Sequence, residues 1–198
     1  MRSSLLSTTL ASLLVALVFA APAAAAPTDP DPAFDGDGIL VETSIEDEQG
    51  IYGGAVNLIG VHAGKIVTVG STGGGQEWLI VRRNADGSLD TTFDGPSGTG
   101  NGIVELDLSS SYDAAYDVAI TPVGRVVVVG RVRNTTTNKT EIGVVRLLAA
   151  DGDDDTSFST DGKITFGIDD AAAGQDAWAE AVALDGSDIV VGATAADG

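Results

Sequence analysis

The chain has 198 residues, with 29 acidic against 10 basic side chains, a formal net charge of −19 and no cysteine. A charge of this sign is repelled by nucleic acid and by anionic membrane surfaces, so we expect neither as a partner. Without cysteine the chain cannot form disulfides or thiolate metal sites. The 22 Asp and 26 Gly residues, against 7 Glu, favour many turns between short strands over helices.

The first 26 residues have the features of a secretory signal peptide. Arg2 supplies a positive start, residues 10–20 form an apolar stretch, and the small residues of APAAAAP at 21–27 follow it. The apolar stretch is shorter than a membrane span requires. We therefore predict a signal peptide over residues 1–26, no other membrane segment, and a mature domain over residues 27–198 that is secreted, extracellular or held in the cell envelope.

Short runs rich in Val and Ile, bounded by Gly, Asp, Asn or Pro, predict eleven β-strands in the rest of the chain. In chain order they cover residues 38–43, 55–61, 65–71, 78–84, 102–107, 115–121, 125–132, 141–148, 162–166, 177–184 and 188–194. The continuous runs IVTV and VVVV predict inner strands that are covered on both faces.

Three phrases recur along the chain with one period of about 60 residues. The first is an apolar run that ends in glycine, at Gly70, Gly130 and Gly192. The second is Asp-x-x-Phe, at Asp31 and Phe34, Asp90 and Phe93, and Asp155 and Phe158. The third is an apolar strand with an arginine, Arg82 or Arg146, that leads into an Asp-Gly turn. We interpret all of them as structural: each Asp bonds its own turn, each Phe packs against the neighbouring unit, and each Arg pairs with the Asp-rich turn.

Four strands in each period are typical of a propeller blade. We therefore predict an all-β fold of four-stranded, propeller-like blades over approximately residues 31–90, 91–155 and 156–198, the last one incomplete. This amounts to about 2.75 repeats of ~60 residues, whereas closed propellers need roughly four to eight blades. The sequence therefore predicts an incomplete or open propeller: a fragment of a longer product, a homo-oligomer whose chains complete one another, or an open arc. Exposed edge strands make the open arc the least favourable of the three.

The stretch VRRNADGSLDTTFDG, followed by NGIVEL and then AAYDVAITPVGRVVVVGRV, resembles the delta-60 repeat family of bacterial propeller-like repeats. The resemblance extends over residues 31–192. Residues 96–100 are inserted relative to the first copy, and Asp153 and Asp154 replace the Ser-Leu pair of the first turn. The resemblance implies a secreted or surface-exposed repeat protein, and it implies no defined activity.

The segment DGDDDTSFSTDG at residues 151–162 is a candidate calcium loop, because Asp151, Asp153 and Asp155 stand at positions one, three and five of an EF-hand pattern. Positions six and twelve hold Thr and Gly where that motif needs Gly and Glu, which excludes an EF-hand. Looser calcium binding by these three carboxylates and Asp161 is the alternative to a purely structural turn, which we favour. We predict no other cofactor.

Catalytic signals are sparse in the sequence. His62 is the single histidine and has no periodic equivalent, and no Gly-x-Ser-x-Gly elbow accompanies it. We therefore predict no catalytic residues and a secreted, non-catalytic repeat module that binds an unidentified protein or carbohydrate. Trp78 and Trp178 do not occupy equivalent positions in the repeat, and either one is a candidate for a sugar-binding surface, although packing is the simpler interpretation. The alternatives are a carboxylate-dependent hydrolase on a propeller scaffold and a calcium-stabilised surface structural protein.

Overall fold

The computed structural model describes residues 30–41, 48–56, 64–72, 75–98, 100–168 and 175–196. Within these ranges the chain is all-β, with ten antiparallel strands and one short 3-10 turn at Gly95–Ser97. Over the same ranges, no helix has both the length and the apolar character needed to cross a membrane. The predicted signal peptide at residues 1–26 lies outside the described residues.

The strands form three antiparallel sheets in chain order. The first sheet contains β1 (Glu48–Val56), β2 (Ile66–Thr72), β3 (Trp78–Arg83) and β4 (Ile103–Leu106), each paired with the next. The second contains β5 (Ala114–Ile120), β6 (Val126–Asn134), β7 (Lys139–Leu147) and β8 (Lys163–Phe166) in the same arrangement. The third, over the residues described, contains β9 (Asp176–Asp185) and β10 (Asp188–Ala196).

The apolar runs form inner strands because both of their faces are covered. In β6, Val126 and Val128 belong to a core cluster shared with the first sheet, whereas Val127 and Val129 belong to a second cluster shared with β9. All four side chains are buried. This burial explains why the run is continuously apolar instead of alternating with polar residues.

A tryptophan from the first sheet ties it to the second. Trp78 is fully buried, and its indole Nε1 donates a hydrogen bond of 3.0 Å to the backbone carbonyl of Arg131. Gly143 makes room for the indole, because a Cβ at that position would lie 2.8 Å from the Trp78 ring. The indole therefore satisfies its polar atom while filling the space between two sheets.

The sheets are offset by one strand from the sequence units. β4, predicted as the first strand of the second unit, pairs with β3 of the first, with Trp78 opposite Leu106. The first sheet therefore spans residues 48–106, and the second spans residues 114–166. Each sheet takes its fourth strand from beyond the next Asp-x-x-Phe phrase, so it extends across the boundaries at residues 90 and 155 that the phrases suggest.

Two predicted strands differ in the structure. Residues 38–41 of the predicted strand 38–43 form no strand: the Gly38 N–H donates to the Phe34 carbonyl in a turn, and Gly38 has a φ of 83°. The remainder of that prediction, residues 42–43, lies outside the described residues. The strand predicted at 55–61 begins earlier, because β1 starts at Glu48, and residues 57–61 again lie outside the described part.

The periodic glycines lie beside β-bulges, but not all at the same place. Gly70 and Gly130 each stand just after a register shift in the pairing of their strands. Gly192 lies one position earlier, and Ala193 takes the structural place of Gly130. The cause is the hairpin: four residues, 185–188, separate the paired Leu184 and Ile189, against five, 121–125, between Ile120 and Val126.

Candidate functional site

The first Arg–Asp phrase forms a buried ion pair at the end of β3. Arg82 Nε donates to Asp90 Oδ2 at 2.7 Å, and both residues are almost fully buried. Asp90 Oδ1 accepts from the hydroxyl of Thr92 at 2.8 Å and from its N–H at 3.3 Å. Lys65 adds a second cation, with its Nζ 3.0 Å from Asp90 Oδ2. The carboxylate is therefore fully engaged by its own turn and two cations.

These contacts decide the charge state of the Asp90 carboxyl. Burial alone would raise its pKa, but the hydrogen bonds from Lys65 and Thr92 and the charge of Arg82 lower the pKa to about 2. The guanidinium of Arg82 lies 4.2 Å above the centre of the Phe93 ring. The ion pair of Arg82 with Asp90, the turn that begins at Asp90 and the Phe93 ring thus form one unit, which we call the turn unit.

The first turn unit docks onto the second sheet. Arg82 Nη1 and Nη2 donate to the carbonyls of Ala149 and Ala150, at 2.5 and 3.2 Å, in the turn that follows β7. The Phe93 ring is fully buried against Gly152 of that same turn. The first turn unit therefore makes hydrogen bonds to two consecutive backbone carbonyls of the turn after β7 and packs its ring against a glycine of that turn.

The second turn unit repeats the arrangement of the first, with an arginine and a serine in the places of Lys65 and Thr92. Arg146 Nε donates to Asp155 Oδ2 at 2.7 Å, and Arg125 Nε lies equally close to the same oxygen. The hydroxyl and N–H of Ser157 donate to Asp155 Oδ1 at 2.6 and 3.0 Å. Burial would raise the pKa of Asp155, but the bonds from Ser157 and Arg146 hold it below the usual value. Arg146 lies 4.7 Å from the centre of the Phe158 ring.

The earliest Asp-x-x-Phe phrase makes the same docking contact without an arginine. Asp31 caps its own turn, accepting from the N–H of Ala33. Phe34 lies against Gly87, where an added Cβ would come within 3.3 Å of the ring. A backbone hydrogen bond of 2.9 Å from Asp35 to the Asp86 carbonyl completes the contact. In both this copy and the next, the phenylalanine ring thus packs against an Asp-Gly turn.

The second turn unit differs from the first in being uncovered over the described residues. Val104 and Leu106 of β4 are 1% and 6% exposed, whereas Ile164 and Phe166, at the matching positions of β8, are 39% and 43% exposed. The Arg82 side chain is 2% exposed and that of Arg146 is 17% exposed. Among the described residues, therefore, no turn covers the second unit in the way that the turn after β7 covers the first.

A cavity of about 480 Å³ lies at the uncovered unit. We call its apolar and cationic lining the open face: Val144, Arg146, Phe158, Phe166, Ile189 and Val191. One side of the cavity is bounded by β10, which pairs with β9 and, in the part of the chain that the structure describes, with no other strand. The open face thus combines an apolar floor, a guanidinium and an unpaired strand edge.

Three of the four calcium candidates have carboxylates engaged in turn hydrogen bonds, whereas the fourth, Asp153, is exposed and contributes only its N–H to such a bond. Asp151 accepts from the N–H of Asp153, and Asp161 accepts from the Ser159 hydroxyl and the Lys163 N–H, while Asp155 belongs to the second turn unit. Across the described ranges, no three acidic or histidine side chains come together in a way that could hold a metal ion. Calcium binding by these residues stays a prediction for experiment.

Several residues of the turn units escaped the sequence analysis although the sequence carries their signal. Lys65 and Arg125 both follow the first glycine of the recurring Val-rich phrase, and Thr92 and Ser157 are hydroxyl residues two positions after the periodic Asp. A basic and a hydroxyl residue at a constant offset would have identified all four. His62 lies outside the described residues.

The described part of the chain is therefore an all-β repeat module of propeller-like, four-stranded sheets joined by turn units. A family model described as a beta-propeller domain of unknown function (DUF5122) matches residues 64–93, which cover β2, β3 and the first turn unit as far as Phe93. The comparison with curated proteins gave no match. The narrower resemblance to delta-60 repeats stays a prediction.

Proposed function

We propose that the chain is a secreted, non-catalytic repeat module that binds a partner polypeptide at the open face. The signal-like N-terminus and the delta-60 resemblance support secretion, and the propeller-type match supports a repeat scaffold. The proposal for a polypeptide partner rests on one observation: the described residues contain two copies of the same turn unit, of which they cover one with a strand and turn and leave the other uncovered.

The covered copy defines the chemistry of the partner. Val145 and Leu147 of β7 bury their side chains in the cluster shared with the first sheet. The turn that follows gives its carbonyls to Arg82 and its Gly152 to the Phe93 ring. A partner for the open face therefore carries an extended segment with apolar side chains at alternate positions, followed by an Asp-Gly turn.

The edge of β10 supplies the backbone side of this recognition. In the second sheet, β6 pairs with β7 over its whole length, with Val126 opposite Leu147 and Asn134 opposite Lys139. An incoming strand can make the same ladder with β10, because main-chain hydrogen bonds provide affinity and alternate side chains provide specificity in strand addition. The apolar floor of the open face receives the side chains that point inward.

The test uses the chain's own covering segment as a probe. A fluorescent peptide with the sequence of residues 141–153, EIGVVRLLAADGD, is titrated into the folded protein and followed by fluorescence anisotropy. We expect saturable binding. A peptide with serine at the positions of Val145 and Leu147 is expected to bind at least about tenfold more weakly, because both buried anchors are lost.

Variants of the protein locate the binding site. Phe166→Ser and Phe158→Ala each remove part of the open face and are expected to weaken peptide binding by about tenfold or more. Val123→Ser, at a residue that is 68% exposed in a turn, is the matched control and should leave binding unchanged. Because Phe166 is itself partly exposed, its variant keeps the fold, which thermal unfolding verifies.

Two results would contradict the proposal. The first is equal binding of both peptides, or equal binding by the wild type and Phe166→Ser. The second is a stable self-associated state, seen by light scattering, that buries the open face and excludes the peptide; the occupant would then be a second copy of the chain. The hydrolase and calcium alternatives stay predictions, and no contact in the described residues favours them over this one.

A further inference from the structure

A second concave surface lies at the opposite ends of β6 and β7 from the turn units. Two adjoining cavities, of about 460 and 330 Å³, share Arg131 and Thr140 in their walls. Tyr112 and Arg133 line the larger cavity, and Trp178 lines the smaller. We call this surface the arginine cleft. It is built from different residues than the open face, so the two sites can be tested separately.

The central observation is a guanidinium whose inner nitrogen has no partner. Arg131 Nε is buried and makes no hydrogen bond in the part of the chain that the structure describes. In a folded protein such a buried donor is unfavourable unless something satisfies it, and native structures contain few of them. Nε is covered by the protein itself, so a ligand in the cleft would bond the outer nitrogens of Arg131, the residue that lines both cavities.

Three other arginines already contact a carboxylate. Arg82 pairs with Asp90, Arg125 and Arg146 both pair with Asp155, and no ion pair of Arg131 occurs among the described residues. Arg131 therefore places in the cleft a cation that has no ion pair in the described part of this acidic chain. An arginine in this situation is suited to a carboxylate, whose two oxygens match its planar donors.

The neighbouring arginine is held in place by polar contacts. Arg133 Nη2 donates to Asn138 Oδ1 at 2.6 Å, and Arg133 Nη1 lies 3.7 Å from Asp176 Oδ1. The Asp176 carboxylate in turn accepts the N–H of Thr140 at 2.6 Å, and this bond contributes most to holding its pKa below the usual value. Asp176, the carboxylate that the described residues place in the cleft wall, is thus engaged by the protein, which leaves Arg131 for a ligand.

Aromatic rings and hydroxyl groups complete the lining. The Tyr112 side chain is 63% exposed, and the Tyr116 ring lies 5.9 Å from the Arg131 guanidinium carbon. Of the two tryptophans considered for a sugar-binding surface, Trp78 is fully buried, whereas Trp178 lies in the wall of the smaller cavity together with Thr140. Exposed aromatic faces pack against the apolar face of a sugar ring, while hydroxyls and amides bond its edges.

A buried carboxylate fixes the loop that carries Tyr112. Asp113 accepts hydrogen bonds from the Ser109 hydroxyl at 2.6 Å, from the Leu108 N–H at 3.1 Å and from the Arg133 N–H at 2.9 Å. It is completely buried. The loop backbone is thereby tied to β6 directly beside the cleft, which reduces the ordering of the loop that ligand binding would require.

We propose that the arginine cleft binds a carboxylate-bearing saccharide, with the carboxylate on Arg131 and a sugar ring against Tyr112 and Trp178. The cation supplies the selectivity for an acidic sugar, and the rings supply the contact area. Neutral saccharides keep the ring contacts and lose the charge-assisted hydrogen bonds, so they bind more weakly.

Isothermal titration with trigalacturonic acid, galactotriose and acetate tests the proposal. We expect trigalacturonic acid to bind at least about tenfold more tightly than either of the other two. Arg131→Gln should reduce its affinity by about tenfold or more, and Tyr112→Ser should also reduce it. Lys163→Gln removes the same charge at the other end of the second sheet and is expected to change the affinity less than about twofold.

The outcomes separate the possible explanations. Equal binding of galactotriose and trigalacturonic acid, or unchanged affinity in Arg131→Gln, would overturn the proposal. Acetate binding as tightly as trigalacturonic acid would also overturn it, because it would show an isolated anion site without sugar contacts. Arg131→Gln is not expected to unfold the protein, since the bond from Trp78 is made to the backbone of Arg131.

Discussion

The Phe93 ring rests directly on Gly152, where an added Cβ would lie 2.9 Å from Cε2 of the ring. The two residues belong to successive turn units, and the contact joins the first sheet to the second. Gly152 also has a φ of 83°, a conformation that side chains other than glycine rarely adopt. The glycine of the Asp-Gly turn therefore has two functions: it allows the chain to turn, and it leaves room for the phenylalanine ring of the preceding turn unit to pack against it.

A comparison of two glycines separates these functions. Gly186 has a φ of 62° but nothing within 4 Å of an added Cβ. Gly186→Ala should cost about 1 kcal/mol of unfolding free energy, from backbone strain alone. Gly152→Ala should cost a further 1–3 kcal/mol or so, because the Phe93 ring must move. Equal losses for the two variants in urea unfolding would show that the ring contact contributes nothing.

The bulge glycines offer a second matched pair. A Cβ on Gly130 would lie 2.1 Å from the Ala114 carbonyl oxygen, whereas the nearest atom to a Cβ on Gly192 is 3.8 Å away. Gly130→Ala should therefore destabilise the protein by about 2 kcal/mol or more, and Gly192→Ala should stay within about 0.5 kcal/mol. Thermal and urea unfolding measure both. A large loss in Gly192→Ala would contradict the shorter hairpin register described for the third sheet.

The ion pair of the first turn unit predicts acid sensitivity. The pKa of Asp90 is about 2 in the folded protein, below the value of about 3.9 for an unfolded chain. Its contribution to stability is therefore complete above pH 4 and is lost as the pH falls from about 4 to 2. Asp90→Asn should lower the unfolding free energy at pH 7 by about 3 kcal/mol. The variant should also lose less unfolding free energy than the wild type as the pH falls from about 4 to 2.

Urea unfolding at several pH values measures this effect. Asp185→Asn, at the exposed last residue of β9, serves as the control and should retain the acid loss of the wild type. An unchanged slope in Asp90→Asn would mean that other carboxylates account for the acid dependence.

The occupied carboxylates predict little response to calcium. Asp155 already accepts from two arginines and from Ser157, so a cation would have to displace those donors. We expect calcium at millimolar concentration to change the melting temperature by less than about 1 °C, since a ligand stabilises only in proportion to its binding to the folded state. A larger rise that a chelator reverses would instead support the calcium-stabilised alternative.

The sequence predicted most strands because Val-rich runs between turn residues are a strong local signal. The partner of Arg82 was also indicated, since a periodic arginine beside a periodic Asp-rich turn is typical of a repeated ion pair. The register of the third sheet was not predicted. Matching the phrases aligns Gly192 with Gly130, but the hairpin between β9 and β10 is one residue shorter than the hairpin between β5 and β6. Arg131 was missed for a related reason: Ser71 holds its place in the first sheet, so no repetition marks it.

The offset between sequence units and sheets has a consequence for how such arrays lengthen. A duplicated stretch of about 60 residues carries the fourth strand of the preceding sheet, followed by the first three strands of a new sheet. The fourth strand of that new sheet is supplied by the next copy. It also carries both an arginine and phenylalanine that dock and an Asp-Gly turn that receives them. A new copy inserted at any point is therefore compatible with both of its neighbours from the start, and the array can grow by tandem duplication without the invention of a new contact.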